Sequence, residues 1–169
     1  LVDEWLFYAE LNGKSEELII EQVDLKELAQ ASVKKIQVLY PDIQFELITQ
    51  KSLILGNARL IARAIDNLLT NAGKFAQSTV RVMVSANEMD KDNEVLCLLV
   101  EDDGPGIPEQ LQNKIIQPFV RLDDSRNSSG SGLGLAIVKS IIDKHHAQLD
   151  IKTNILGGAS FVITFKKAK

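Results

Sequence analysis

Hydrophobic and polar positions along this chain follow two different periods. Where apolar side chains recur three and four residues apart, the pattern predicts a helix, and where they alternate it predicts a strand. The predicted helices cover residues 1–12, 24–40, 58–75 and 133–146. The predicted strands cover residues 43–49, 52–55, 79–89, 94–101, 149–154 and 159–166, of which the last two form a closing hairpin. The chain therefore mixes helices with strands along its whole length.

A long apolar run at 94–101 leads into the most informative part of the chain. Such a run is typical of a strand that is buried on both faces. Asp102 and Asp103 stand where the run ends, and we expect Asp103 to be only a turn residue. The glycines of the turn at 104–106 let the backbone approach a ligand without Cβ atoms in the way.

A polar loop follows this turn and carries Arg121 and Arg126 before a serine- and glycine-rich segment at 128–132. The chain then enters a helix, whose first N–H groups have no partner within the helix and can bind an anion. Arginine side chains suit phosphates, and the carboxylate of Asp102 can accept a hydrogen bond from the amine of a base. The stretch at 100–138 thus predicts a nucleotide cleft.

The predicted helix at 58–75 carries a row of polar side chains beside its apolar stripe. Asn67, Asn71 and Lys74 recur at i, i+4 and i+7, so they share one face of the helix. Asparagine is a poor helix former, and two of them in mid-helix need an explanation. Two explanations stay open: a solvated face, or a ligand site in which an amide oxygen binds Mg²⁺ and the lysine meets a phosphate.

Composition narrows the classes of function. With 169 residues, 45% of them apolar, the chain can form about one domain with a substantial core. The net charge of −4 argues against a nucleic-acid-binding protein. The single cysteine, Cys97, excludes a disulfide framework and is expected to be a buried, reduced thiol. No apolar run approaches the ~18–20 residues of a membrane span, and the sequence shows no signal peptide, so we expect a soluble, cytoplasmic piece. Because the chain starts at Leu1 without a methionine, we expect it to be a fragment of something longer.

Four segments, in order and at suitable spacing, resemble the motifs of a known family. They are DNLLTNAGKF, EDDGPGIP, QPFVRLD and GSGLGLAIV, which resemble the N box, the first glycine box, the F box and the second glycine box. The family is the catalytic and ATP-binding domain of bacterial sensor histidine kinases, of the sort that feed OmpR-type response regulators. The resemblance covers roughly residues 23–165. One departure is His146-Ala147, where the family usually has His-Gly-Gly.

The resemblance implies an α/β fold, an α+β two-layer sandwich of the Bergerat type, in which helices cover one face of a mixed sheet. ATP and Mg²⁺ would lie between the helices and a flexible lid at about 117–131. We expect Phe119 to be a hydrophobe that anchors this lid rather than a ligand contact. Residues 1–19 would be the tail of a preceding dimerisation and phosphoacceptor helix plus a linker, and residues 20–169 the ATP-binding domain. The alternative for residues 1–12 is an N-terminal helix that packs on this domain.

The resemblance also assigns roles to individual residues. Asp102 would accept the adenine amino group, which favours adenine because guanine presents a carbonyl at that ring position. Asn71 would be the Mg²⁺ ligand with Asn67 beside it, Lys74 would meet the phosphates, and Phe75 would lie near the sugar or the base. The expected catalytic residues are Asn67, Asn71, Lys74, Arg121 and Arg126, and the further nucleotide contacts are Gly104, Gly106, Ile107, Gly130, Ser131, Gly132, Leu133 and Gly134. His145 and His146 end a helix, where a structural role is expected.

The implied function is that of a protein-histidine kinase domain, which binds Mg-ATP and donates the γ-phosphate to a histidine on a separate dimerisation domain. A response-regulator aspartate would receive the phosphoryl group afterwards. The family's acceptor motif, which resembles H-E-[LF]-[RK]-[TS]-P, does not occur in this sequence. The expected partners are therefore the separate helical domain, a cognate response regulator and a second copy of the full-length protein, without nucleic acid. The implied location is the cytoplasmic side of an inner-membrane sensor protein.

Two alternatives remain beside this function. One is an ATPase resembling the gyrase, Hsp90 and MutL ATP modules, which place a glutamate four residues before the Mg²⁺ asparagine to polarise water. That position is Asn67 here, and an amide cannot act as a general base near neutral pH. The neighbouring Asp66 is turned away by about 100° of helix rotation. The other alternative is a degenerate nucleotide-binding or docking module that keeps the fold without catalysis.

Overall fold

The computed structural model describes residues 1–13, 17–87, 94–122 and 130–168. Within these ranges the helices are α1 (Val2–Asn12), α2 (Leu25–Ile36), α3 (Ala58–Phe75), α4 (Glu109–Gln112) and α5 (Gly134–Lys144), with a 3₁₀ turn at Gln37–Leu39. The strands are β1 (Glu21–Asp24), β2 (Gln44–Thr49), β3 (Leu53–Gly56), β4 (Thr79–Asn87), β5 (Val95–Asp102), β6 (Gln148–Thr153) and β7 (Ala159–Lys166). The part of the chain that the structure describes has no helix that is both long and apolar enough to span a bilayer.

The main sheet is mixed, as expected. Its strand order is β2-β4-β5-β7-β6. β2 runs parallel to β4, and the other neighbours are antiparallel. β1 and β3 form a small antiparallel pair of their own. Strand β1 was not predicted, because its four residues acquire strand geometry only by pairing with β3.

One face of the main sheet carries the core. Along β5, buried side chains alternate with half-buried ones, and the buried set faces the stripe of α3. The prediction that β5 is buried on both faces is therefore wrong. Antiparallel sheets commonly leave one face partly open to solvent, and Leu99 and Cys97 lie on that face. Cys97 is a free thiol, as expected, but it is half-buried rather than buried.

Helix α1 packs on the domain. Leu11 is buried in the common core. The guanidinium of Arg63 on α3 lies 4.6 Å from the centre of the Phe7 ring, which is a cation–π contact. The hydroxyl of Ser140 on α5 donates a 3.1 Å hydrogen bond to the side chain of Asn12. These contacts hold α1 against α3 and α5.

Helix α5 ends in a Schellman motif built around a histidine. The N–H of Ala147 donates to Ile142 O at 3.1 Å, and the N–H of His146 donates to Asp143 O at 3.0 Å. This geometry requires a residue with left-handed backbone conformation just after the helix, and His146 adopts that conformation with φ 51°. The departure from His-Gly-Gly therefore leaves the turn intact, at the cost of placing a side chain where glycine is preferred.

Candidate nucleotide site

A cavity of about 260 Å³ lies between α3, the end of β5 and the segment before α5. Most of the residues expected to bind nucleotide line it together: Asn67, Asn71, Lys74, Phe75, Asp102, Gly106, Ile107, Arg121, Gly130, Ser131, Gly132 and Gly134. Gly104 and Leu133 do not line it, and Leu133 is fully buried in the core. Arg126 lies outside the described residues. Side chains that are far apart in the sequence thus meet around one space.

Helix α3 presents its polar row to this cavity. The helix begins at an N-cap, where Asn57 Oδ1 accepts a 3.0 Å hydrogen bond from the N–H of Leu60. Its apolar stripe is buried against the sheet, which turns Asn67, Asn71 and Lys74 toward the cavity rather than toward bulk solvent. Asn67 Nδ2 donates to Gly134 O at 3.2 Å and so connects α3 to the first turn of α5.

Asp66 is directed away from the cavity, as its position on the helix predicts. Its carboxylate pairs with the ammonium of Lys35 on α2 at 2.6 Å. The residues that line the cavity do not include it. The cavity wall that α3 supplies therefore carries amides and a lysine, without an acidic group from this helix.

Asp102 lies on the opposite wall, at the end of β5, and is 3% exposed. Its Oδ1 accepts hydrogen bonds from the N–H of Gly104 at 2.8 Å and from the N–H of Ala159 at 3.4 Å. Desolvation by burial raises the pKa of this carboxyl, the two hydrogen bonds lower it, and the charges of Asp103 and Glu101 raise it further. Within the described chain both of these bonds use the same oxygen, which leaves Oδ2 available to a ligand donor.

Gly104 allows the end of α3 to approach the end of β5. A Cβ atom at this position would lie 2.3 Å from the carbonyl oxygen of Phe75. The glycine thus serves the close packing of two chain segments that both line the cavity, Phe75 on one side and Asp102 on the other. Sequence reasoning expected the nucleotide, and not Phe75, to be the group that needs this space.

The two ends of the expected lid are joined at its base. The N–H of Phe119 donates to Gly132 O at 2.9 Å, and Arg121 Nη1 donates to Gly130 O at 3.2 Å. Phe119 adopts φ 65°, and its side chain is 57% exposed. The expectation that Phe119 anchors the lid as a hydrophobe is therefore wrong, because the side chain is exposed and the contact with Gly132 is made by the backbone.

The cavity also has lining residues that the sequence pattern did not single out. They are Glu4, Thr70, Ile115, Val120, Leu122, Leu135 and Ala159. Thr70 and Leu135 are sequence neighbours of predicted site residues, so their positions in the sequence could have indicated that they line the cavity. Glu4 has no such signal, since it reaches the cavity only through the packing of α1. Its carboxylate accepts a hydrogen bond from the hydroxyl of Ser131.

Comparison with known proteins identifies the family. Residues 56–169 match the family described as histidine kinase-, DNA gyrase B-, and HSP90-like ATPase. The chain belongs to this family. Over 167 residues it is 38% identical to the sensor protein RstB of Escherichia coli (strain K12), a match that covers 95% of this chain and 37% of RstB. The chain thus spans little more than a third of that relative's length.

Solved structures share the fold, and one of them is named as a sensor histidine kinase. The mycobacterial sensor histidine kinase MprB is 31% identical with a TM-score of 0.77, covering 87% of this chain and 98% of that chain. Full-length ShkA in complex with AMPPNP, at 24% identity, has a TM-score of 0.82 and covers 99% of this chain and 35% of that chain. The predicted Bergerat fold and family resemblance are confirmed. The chain is a catalytic, ATP-binding domain of the sensor histidine kinase type.

Proposed function

We propose that this domain binds Mg-ATP in the cavity between α3 and the lid and delivers the γ-phosphate to a histidine on a separate helical domain. The observation that carries the proposal is the meeting of Asp102 with Asn71 and Lys74 around one cavity. A buried acceptor on one wall and cationic and amide groups on the other match the two ends of a nucleoside triphosphate.

The base would bind at the wall formed by the end of β5. Asp102 holds its orientation through Oδ1, so Oδ2 can accept a hydrogen bond from the exocyclic amine of adenine. Guanine would place a carbonyl oxygen against this carboxylate and leave two acceptors facing each other, which is costly in a buried site. Phe75 and Ile107 line the same cavity and supply apolar surface for the base or the sugar.

The phosphates would bind along α3 and the glycine-rich start of α5. Lys74 lines the cavity and contributes positive charge, and Arg121 and Arg126 belong to the lid that would cover the γ-phosphate. Asn71 would hold Mg²⁺ through its amide oxygen, because this ion prefers oxygen ligands. When bound, the ion neutralises charge on the phosphates. The backbone of the glycine-rich segment would approach the phosphates closely, at Gly130, Ser131, Gly132 and Gly134.

Phosphoryl transfer is favoured over hydrolysis by the groups on α3. The position from which related ATPases would activate water holds Asn67, whose amide donates to Gly134 O and cannot act as a general base. Asp66 is paired with Lys35 instead. The site therefore suits an incoming nucleophile that needs no deprotonation by this domain, such as a neutral imidazole. A degenerate docking module is less favoured, because the site side chains surround an open cavity.

In the whole protein we place residues 1–19 at the end of the dimerisation and phosphoacceptor helix with its linker, and residues 20–169 in the catalytic domain. The names of the relatives, a sensor protein and a sensor histidine kinase, support a sensor kinase as the whole protein. We propose, from the family resemblance, that this protein is a dimer on the inner membrane with this domain on the cytoplasmic side. The phosphoryl group would then pass to an aspartate of a cognate response regulator. Nucleic acid is not among the proposed partners.

Calorimetry with ATP and GTP, each with and without Mg²⁺, tests the nucleotide site. The chain should bind Mg-ATP in preference to Mg-GTP, Asp102→Asn should lose this preference, and Asn71→Asp should alter the dependence on Mg²⁺. Asp42→Asn, an exposed change outside the cavity lining, is the matched control. A folded chain that binds neither nucleotide would favour the docking module.

A second measurement separates transfer from hydrolysis. The chain should leave labelled ATP largely intact alone, and should produce phosphohistidine when mixed with a helical hairpin that carries the acceptor motif. Rapid release of inorganic phosphate by the chain alone would instead support the ATPase.

A further inference from the structure

The turn between β6 and β7 is organised by the side chain of Asn154. Its Oδ1 accepts hydrogen bonds from the N–H groups of Leu156 and Gly158, both at 3.0 Å. Its backbone N–H donates to Gly158 O at 2.8 Å. Acceptance of nearby N–H groups is the common behaviour of asparagine in turns and explains why the residue suits this position.

The same side chain also reaches beyond the turn. Its Nδ2 donates to the backbone carbonyl oxygen of Asp102 at 2.8 Å, across 52 positions of sequence, and to Ala159 O at 3.3 Å. A turn needs only the acceptor of the asparagine amide. The two donated bonds are therefore additional, and the shorter of them ends on the residue that lines the base end of the cavity.

The chain around this bond is closely packed against Asp102. A Cβ atom at Gly158 would lie 1.9 Å from Asp102 O, so only glycine allows the turn to come this near. The next residue, Ala159, donates its N–H to Asp102 Oδ1 at 3.4 Å. The turn thus contacts Asp102 at its backbone carbonyl through Asn154 and at its carboxylate through Ala159.

We propose that Asn154 is a positioning residue that holds Asp102 in the orientation required to recognise the adenine amine. The inference rests on the proposed ATP site. Hydrogen-bond strength falls steeply with distance and angle, so a small displacement of Asp102 weakens its bond to the base while leaving the phosphate contacts in place. Asn154 does not line the cavity and acts only through Asp102.

The test compares ATP with purine riboside 5′-triphosphate, which lacks only the exocyclic amine, in calorimetric titrations. The original chain should bind ATP at least about tenfold more tightly, the effect of one hydrogen bond to a charged acceptor. Asn154→Asp keeps the oxygen that the turn N–H groups need and removes both donated bonds. It should lose most of the preference through weaker binding of ATP, with binding of the purine riboside triphosphate nearly unchanged.

Two further variants separate positioning from stability and charge. Leu156→Asp puts a new carboxylate on the same turn, on a side chain that is 68% exposed, and should keep the preference. Asn154→Ala removes all of the side-chain bonds and, measured below its own unfolding transition, should lose the preference as Asn154→Asp does. If Asn154→Asp does not fold, Asn154→Ala replaces it as the test variant.

The outcomes distinguish this inference from the proposed function. If both Asn154 variants keep the full preference for ATP and only unfold more easily, Asn154 merely caps the turn and the inference is overturned. If the original chain does not distinguish the two triphosphates, the proposed role of Asp102 is wrong, and the inference falls with it.

Discussion

The hydroxyl of Ser78 donates a 2.5 Å hydrogen bond to the carboxylate of Asp103. The other oxygen of this carboxylate accepts from the N–H groups of Gln77, Ser78 and Thr79, at 2.8, 3.0 and 3.1 Å. Asp103 therefore ties the end of β5 to the chain that leaves α3, and so joins the two walls of the cavity. The expectation that it is only a turn residue understates its contacts.

Acid should weaken the fold through Asp103. Desolvation alone would raise the pKa of this carboxyl, but the hydrogen bonds from Ser78, Thr79 and Gln77 outweigh it and hold the pKa well below the usual range. Because the folded state binds the proton less tightly than the unfolded chain, the stabilisation is present above about pH 4 and is lost below it. Asp103→Asn should cost about 1 kcal/mol in urea unfolding near neutral pH, and the difference should shrink on acidification. An equal difference at all pH values would contradict this origin.

Substitution at the lid base should weaken ATP binding. Gly132 has φ 72°, and a Cβ atom there would lie 2.9 Å from the backbone of Phe119, so Gly132→Ala should break the bond between them. We expect a loss of about tenfold in ATP affinity, from strain of about 1–2 kcal/mol. Gly157→Ala is the matched control, because Gly157 has φ 86° with open space around it. If both variants weaken ATP binding equally, general strain rather than the lid base is responsible.

Removing the charge of Glu4 should strengthen binding of the triphosphate. Its carboxylate lines the cavity that Lys74 also lines, and it accepts a hydrogen bond from Ser131. A negative charge near the phosphates is unfavourable by about 1 kcal/mol in a largely aqueous setting. Calorimetry should therefore show a gain of about fivefold for Glu4→Gln, and no gain for Glu10→Gln on an exposed part of α1. An unchanged or lower affinity would indicate that Glu4 does not act on the phosphates.

His145 should make the fold sensitive to mild acid. Its Nε2 accepts a 3.0 Å hydrogen bond from the N–H of Asn57, and its Nδ1 lies 2.7 Å from Ile141 O, so the ring is neutral with the proton on Nδ1. Burial lowers its pKa most, the bond to Ile141 raises it, and the charge of His146 lowers it. The unfolded chain therefore binds the proton more tightly, and stability should fall as the pH drops below about 6.5.

Urea unfolding between about pH 7.5 and pH 5.5 measures this effect, in the range where histidine titrates. His145→Gln should flatten the dependence, while His146→Gln, on an exposed side chain, should keep most of it. The same slope in His145→Gln and the original chain would assign the acid sensitivity to other groups.

His146→Gly should stabilise the domain. The left-handed backbone at φ 51° costs a non-glycine residue roughly 1–2 kcal/mol. Glycine removes this strain, but it also raises the conformational entropy of the unfolded chain, which offsets part of the gain. We expect a net gain of about 0.5–1 kcal/mol in the free energy of unfolding. A loss of stability would mean that the side chain of His146 makes contacts that outweigh the strain.

Local pattern was enough to predict most elements, and the family resemblance named most of the residues that line the cavity. The prediction of a helix at 58–75 matches α3 at both ends, because the period of its apolar stripe is strong and Asn57 supplies a cap. The helix predicted at 24–40 ends at Ile36 and continues as a 3₁₀ turn, since the last turn of a helix is easily tightened. The residues assigned from the four motifs lie around one cavity, apart from Gly104, Leu133 and the undescribed Arg126.

The sequence by itself determined the family, the fold class and the chemical groups available to a nucleotide, because these depend on residue type and on spacing within single elements. Only the tertiary structure decided what surrounds those groups. The half-exposed face of β5, the entry of Glu4 into the cavity and the bond from Asn154 to Asp102 each join segments that are distant along the chain. Such contacts are set by how whole elements pack, and no local period of hydrophobic and polar residues encodes them.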